Sequence, residues 1–321
     1  MITRIYVGAD ISKDWFDVCM SLDEKAPVER YSNNPVGHAK FIKAVSPLAR
    51  KVHVCMEYTG GHETPLALAC RAANIIVSII DGGKFSAYRK SFGRAKSKTD
   101  KQDAKLLARF ASERKPPEWF PVPDEYRTLR ELVRHREALI QARTAWGCRA
   151  AHTVESELVT AQRRTLREVL ALQIKEVGKA ISAHIKAFPS LKEARDLLVG
   201  IPGIADVSAA RIIAETGPIS NYKSPKQYAM AAGLCPIVIH SGQKTPPGKL
   251  PVYGNAELRC ALYFPVVCSI SHKVGVWNFM QRVEANGDKV KMTVITAGMR
   301  KLAHIIWGVL SSKTKYDKDK M

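Results

Sequence analysis

Four carboxylates, Asp10, Glu57, Asp100 and Asp103, have the residue types and spacing for chemistry on a phosphodiester. Asp100 and Asp103 stand one helical turn apart in "SKTDKQDAKLLARFA", at the head of an amphipathic pattern. By themselves they suit helix capping, since Thr99 or Asp100 can accept hydrogen bonds from first-turn N–H groups and the helix dipole favours acid there. Asp10 ends the strand pattern "IYVGAD", sharing one side with Tyr6 and Gly8, and Glu57 holds the same place in "VHVCMEYTG". If these strands are parallel neighbours, both carboxylates meet at the end of the sheet where ligands gather. A helix packed across that end would bring Asp100 and Asp103 to the same point.

Four acids in one cleft raise each other's pKa unless cations balance them. Two magnesium ions ~4 Å apart would do so, one activating an attacking oxygen and the other steadying a leaving one. The basic residues Lys84, Arg89, Lys90, Arg94, Lys96 and Lys98 would then hold a nucleic-acid backbone. The alternative is four unrelated surface acids.

The elements that must position these residues follow from the pattern. "RIYVGADI", "WFDVCMSL" and "VERYSN" read as three strands joined by short turns, and "GHAKFIKAVSPLAR" as a helix. The strand "KVHVCMEYTG", the helix "HETPLALACRAAN", the strand "IIVSII" and the helix holding Asp100 and Asp103 complete residues 1–115. Such an order predicts a mixed sheet with helices on its faces. The proline-rich "KPPEWFPVPDEY" is a linker, and a helical region reaches to about residue 190. Its seam of Leu166, Leu170, Gln173, Val177, Ile181 and His184 or Ile185 suits a coiled coil that joins two protomers, or equally the face of an intramolecular bundle.

From residue 191 "LLVGIPGIADVSAARIIAETG" has a helix-hairpin-helix signature. Gly203 and the following helix N-terminus could bind a phosphate, although two-helix turns without nucleic acid share this pattern. "AELRCALYFPVVCSISH", "WNFMQRVEANG" and "KMTVITAGMRKLAHIIWGVL" read as three further helices to residue 311, and residues 312–321 as a disordered polar tail.

Fifty Lys and Arg against thirty Asp and Glu give a net charge of +20, which points to a large polyanion as partner. No apolar run reaches the ~20 residues of a membrane span. The first residues pattern as a strand rather than a leader, so a cytoplasmic protein is expected. Seven cysteines without a C-x-x-C pair argue against both a zinc site and a disulfide framework.

"GADISKDWFDV", "CMEYTG" and "KTDKQDAKLLARF" resemble the DEDD motif of the transposases of insertion-sequence family one-ten, relatives of the Piv-type DNA invertases and of the bridge-RNA-guided recombinases. "LLVGIPGIADVSAARIIAETG", "QYAMAAGLCP", "HSGQ", "GNAELRCALYFP" and "GMRKLAHIIWGVL" are similar, in order, to that family's C-terminal domain. The resemblance implies an α/β RNase-H-like (RuvC-like) N-terminal domain, an α-helical coiled-coil middle and a mainly α C-terminal transposase domain with a helix-hairpin-helix. It also implies Asp10, Glu57, Asp100 and Asp103 as magnesium ligands and Ser241, in "IHSGQ", as the nucleophile that links covalently to DNA. A structured noncoding guide RNA, DNA and a homo-oligomer, dimer or tetramer, are the partners implied; a membrane is not among them.

Without the resemblance Ser241 is a turn residue before glycine. His240 is unsuited to be its base, because adjacent residues in an extended segment point opposite ways. Where relatives often carry a basic residue, this chain has Val252 and Tyr253, leaving Arg259 as a phosphate contact. Two other functions compete: a RuvC-like endonuclease that hydrolyses branched DNA, and a non-catalytic nucleic-acid scaffold whose acids only cap helices.

Overall fold

The computed structural model describes residues 4–23, 25–48, 51–92, 100–149, 156–237, 249–251, 253–285 and 290–318. The chain forms two compact units, Met1–Pro121 and Val122–Met321.

The first unit is built on strands β1 (Ile5–Ile11), β2 (Trp15–Cys19), β3 (Val28–Ser32), β4 (Val52–Glu57) and β5 (Ile76–Ile80). They form one sheet in the order β3-β2-β1-β4-β5, with β1–β2 and β2–β3 antiparallel and β1–β4 and β4–β5 parallel. The parallel pairing expected for the two acid-bearing strands is therefore present. Alternation sorts the side chains between two cores. Val7, Ala9 and Ile11 of β1 share one core with Phe41 of α1 (Pro35–Val45) and with Leu66 and Cys70 of α2 (Thr64–Ala72). On the opposite face, Cys55 and Ile80 join Phe85 and Tyr88 of α3 (Gly82–Lys90) and Leu107, Phe110 and Ala111 of α4 (Asp100–Arg114).

Helix α3 is absent from the sequence reading. Its opening Gly82-Gly83 carries no helix propensity, and the cap comes from Asp81, whose carboxylate accepts from Lys84 N at 3.0 Å. The proline-rich segment also does more than link. Trp119 N donates to Val77 O at 2.7 Å and Ser78 Oγ donates to Pro117 O at 2.6 Å, so this segment lies along β5, the edge strand.

The second unit contains α5 (Asp124–Arg149), α6 (Glu157–Ala187), α7 (Pro189–Val199), α8 (Asp206–Thr216), α9 (Pro225–Ala231), α10 (Ala256–His272), α11 (Trp277–Ala285) and α12 (Lys291–Ser312). His184, near the end of α6, meets Glu125 O at the start of α5 at 2.8 Å, so the two long helices run antiparallel. Leu170, Ile174, Ile181 and Ile185 of the α6 seam are buried inside this unit, while Gln173 faces solvent. The seam is thus one helical position off the expected one at that point, and its apolar residues are taken up within the chain. In place of a wholly disordered tail, Lys313 Nζ binds Glu193 at 3.0 Å and Tyr316 packs against the core.

Candidate active site

The β1–β4 register pairs Gly8 with Cys55 and Ala9 with Met56, so the next residues along, Asp10 and Glu57, stand side by side at the C-terminal ends of their strands. Both are half-buried. Helix α4 crosses the same face. A Cβ on Gly8 would lie 2.0 Å from Ala104 O and 2.4 Å from Ala108 N, so only glycine lets the helix backbone rest on β1. Small residues on the helix, Ala104, Ala108 and Ala111, are fully buried at this crossing.

Asp103 immediately precedes Ala104 and is nearly buried, at 7% exposure. Its Oδ2 accepts from Arg89 Nη1 of α3 at 2.8 Å. The Asp100 backbone begins α4, and its side chain lies outside the described residues. Among the described residues no three His, Cys, Asp or Glu side chains stand together as a metal-binding group. The geometry gives a register pair, Asp10 and Glu57, and a third acid on the helix that crosses the same strand.

Glu57 and its surroundings are closely fitted. Its Oε1 occupies the place where a Cβ on Gly82, the first residue of α3, would come within 2.7 Å. Acid at a helix N-terminus is favoured by the partial positive charge there. The loop that follows Glu57 is fixed by Glu63, which is buried at 2% exposure. Glu63 Oε2 accepts from Thr59 N (3.1 Å), Thr59 Oγ1 (2.8 Å) and Gly61 N (3.0 Å). Burial alone would raise its pKa, yet its own backbone N–H, Thr59 and Gly61 together hold it below the usual carboxylate range.

Asp17 was not singled out by sequence reasoning. It lies directly across from Asp10 in β2, is 1% exposed, and is gripped by Arg30 through Nε–Oδ1 at 2.9 Å and Nη2–Oδ2 at 2.7 Å. The signal available was an acid in the middle of the apolar run "WFDVC".

Of the expected backbone-binding residues, Lys84 and Lys90 are exposed on α3, and Arg89 turns instead to Asp103. Arg94, Lys96 and Lys98 lie outside the described residues. Gly203, in the turn between α7 and α8, has φ +95°, and a Cβ there would meet Pro265 O and Ser269 Oγ of α10 at 2.8 Å. Its lack of a side chain therefore lets the hairpin pack on α10. Arg259 is half-buried and donates from Nη1 to Ala232 O at 3.3 Å.

Ser241, with its neighbour His240, lies outside the described residues, between Ile237 and Lys249. Ile237 and Lys249 form an antiparallel bridge, with N···O distances of 2.9 and 3.2 Å. Downstream, Asn255 caps α10 by accepting from Leu258 N at 3.0 Å and donates to Glu215 Oε2 at 3.1 Å. Glu215, 2% exposed on α8, also receives both Arg134 donors, at 2.8 and 2.9 Å. Burial favours its neutral form, but Arg134 and Asn255 outweigh it and lower its pKa. Glu215 was also not singled out from the sequence.

Both halves of the chain have known counterparts. Residues 7–157 match the DEDD transposase model of IS110 elements, described as a transposase, and residues 195–281 match the model described as "Transposase IS116/IS110/IS902 family". The chain is 30% identical to the pilin gene-inverting protein of Moraxella bovis, with 99% of each chain covered, and equally to that of Moraxella lacunata. It is 24% identical to the transposase for insertion sequence element IS1111A of Coxiella burnetii, over 97% of this chain and 90% of that one.

Proposed function

This chain belongs to the IS110 family of DEDD transposases, and from that premise we propose that it is the enzyme of an insertion sequence that rearranges DNA by cutting and rejoining strands. The observation that carries the reading furthest is the Asp10–Glu57 register pair on the face crossed by the helix that bears Asp103. The order β3-β2-β1-β4-β5, with antiparallel strands on one side and parallel on the other, supports an RNase-H-like, RuvC-like first unit. The long antiparallel pair α5–α6 is read as its coiled-coil middle.

Asp10, Glu57, Asp100 and Asp103 are the magnesium ligands in this proposal. All four supply carboxylate oxygens, the donors hard divalent cations take. The Arg89 guanidinium, which meets Asp103 at 2.8 Å, supports a reading in which this carboxylate is balanced by positive charge until a metal takes its place. When bound, magnesium supplies charge neutralisation at the scissile phosphate. The carboxylates orient the cation, and Lys84 and Lys90 bind the DNA backbone by charge.

Ser241 Oγ then bonds to phosphorus as the bond to the departing strand breaks. The serine proton ends on the departing oxygen, which leaves as a hydroxyl. Attack by the hydroxyl of an exchanged strand reverses the step, frees Ser241 and conserves the phosphodiester without net hydrolysis. Exchange between two duplexes needs more than one such site, which makes a dimer or tetramer the working form. A structured noncoding RNA that pairs with element and target DNA is the proposed guide, and the +20 charge supports a large nucleic-acid load.

The test is recombination in cells that carry the flanking element DNA and the adjacent noncoding RNA, read by sequencing the junctions. Junctions should vanish with Asp10→Asn and when the RNA is omitted. Junctions that persist in Asp10→Asn overturn the carboxylate assignment, and junctions formed without the RNA overturn the guide.

A further inference from the structure

The paired residues Asp10↔Asp17 and Asp17↔Arg30 extend the catalytic register into a row. Residues paired in register point to the same side of a sheet, so Arg30, Asp17, Asp10 and Glu57 share one face. Asp17 is buried, and its carboxylate takes a two-pronged grip from Arg30. The guanidinium is also stacked over Trp15, 5.0 Å from the ring centroid. Asp17 is buried while its partner Arg30 is 50% exposed, and a buried carboxylate held in this way is a costly alternative to an apolar side chain at the same position. Directly opposed side chains stand roughly 5 Å apart at Cβ, well inside the screening length of about 8 Å at physiological salt. A change in the charge of either member is therefore felt at Asp10.

We infer that Asp17 and Arg30 set the charge beside the Asp10 site: Arg30 cancels the buried Asp17 carboxylate, which would otherwise add a further negative charge to the row in which Asp10 holds its divalent cation. The inference rests on the reading of Asp10 as a metal ligand. It gives Asp17 no direct contact with the cation. Removing one member changes the charge of the row by one unit in a known direction, and removing both leaves it unchanged.

The experiment is titration calorimetry of the full-length protein with manganese(II) alone, at fixed pH and salt, for five variants. Asp17→Asn should weaken binding by about threefold or more, and Arg30→Gln should tighten it by a similar factor, as expected for one charge at this range. Asp17→Asn combined with Arg30→Gln should return to within about twofold of the parent protein, and Arg30→Lys, which keeps the charge, should match the parent. A purely structural role would move both single variants in the same direction, together with their unfolding temperatures, and that result overturns the inference; if Arg30→Gln does not fold, a weakened Arg30→Lys overturns it equally. Asp10→Asn is the control: undiminished manganese binding there would overturn the ligand reading itself, a separate failure.

Discussion

A Cβ on Gly8 of β1 would stand 2.0 Å from the carbonyl oxygen of Ala104 in α4. Strand and helix therefore touch backbone to backbone, two residues before Asp10 on one element and one residue after Asp103 on the other. The contact fixes the height of α4 above the sheet, and with it the acid that the helix carries. Gly8→Ala should push α4 away, destabilise the first unit by about 2 kcal/mol or more, and abolish recombination. Thermal unfolding and junction sequencing on the same preparation check both effects. An active, fully stable Gly8→Ala protein would show that the close crossing is unnecessary.

The Arg89–Asp103 pair makes a second expectation. Asp103 is nearly buried, so Arg89→Gln removes the cation that compensates it and should cost about 1–3 kcal/mol. Added magnesium should recover more unfolding temperature in this variant than in the parent, because the cation then takes over the balance. Equal magnesium responses in the two proteins would argue against a shared carboxylate.

Acid should destabilise both units through buried carboxylates. Glu63 and Glu215 have folded pKa values below their unfolded value of about 4.3. Each contributes stability that is present above the unfolded pKa and is lost as pH falls through the folded one. Glu215→Gln should therefore lower stability at pH 7, while its unfolding midpoint converges on that of the parent as the pH drops below about 4. Denaturant unfolding across this range measures the convergence, and a gap that stays constant with pH would contradict the assigned direction.

Much of this organisation was legible in the sequence because it is local and periodic. Alternation placed Asp10 and Glu57 on the ends of two strands, and their parallel pairing brought them together. The unread parts depend on contacts that no short window contains. Asp17 meets Arg30 across a hairpin, and Glu215 meets Arg134 from 81 positions away. Helix α3 was hidden by its glycine start, and the α6 seam shifted from Gln173 to Ile174 because packing against α5 and the core decides which face is buried. Arg89 reads from its charge as a nucleic-acid contact, and what no short window shows is that its place on α3 brings it to Asp103.

In the proposed mechanism DNA cleavage passes through Ser241 while the first-unit carboxylates hold the metal. The most direct measurement incubates the purified protein with its element DNA, its noncoding RNA and magnesium, denatures the mixture, and looks for DNA still attached to protein. The expected result is a covalent adduct that maps to Ser241, is absent in Ser241→Ala, and fails to form in Asp10→Asn. Free nicked DNA without any adduct, produced equally by Ser241→Ala, would contradict it and return the protein to the hydrolytic nucleases.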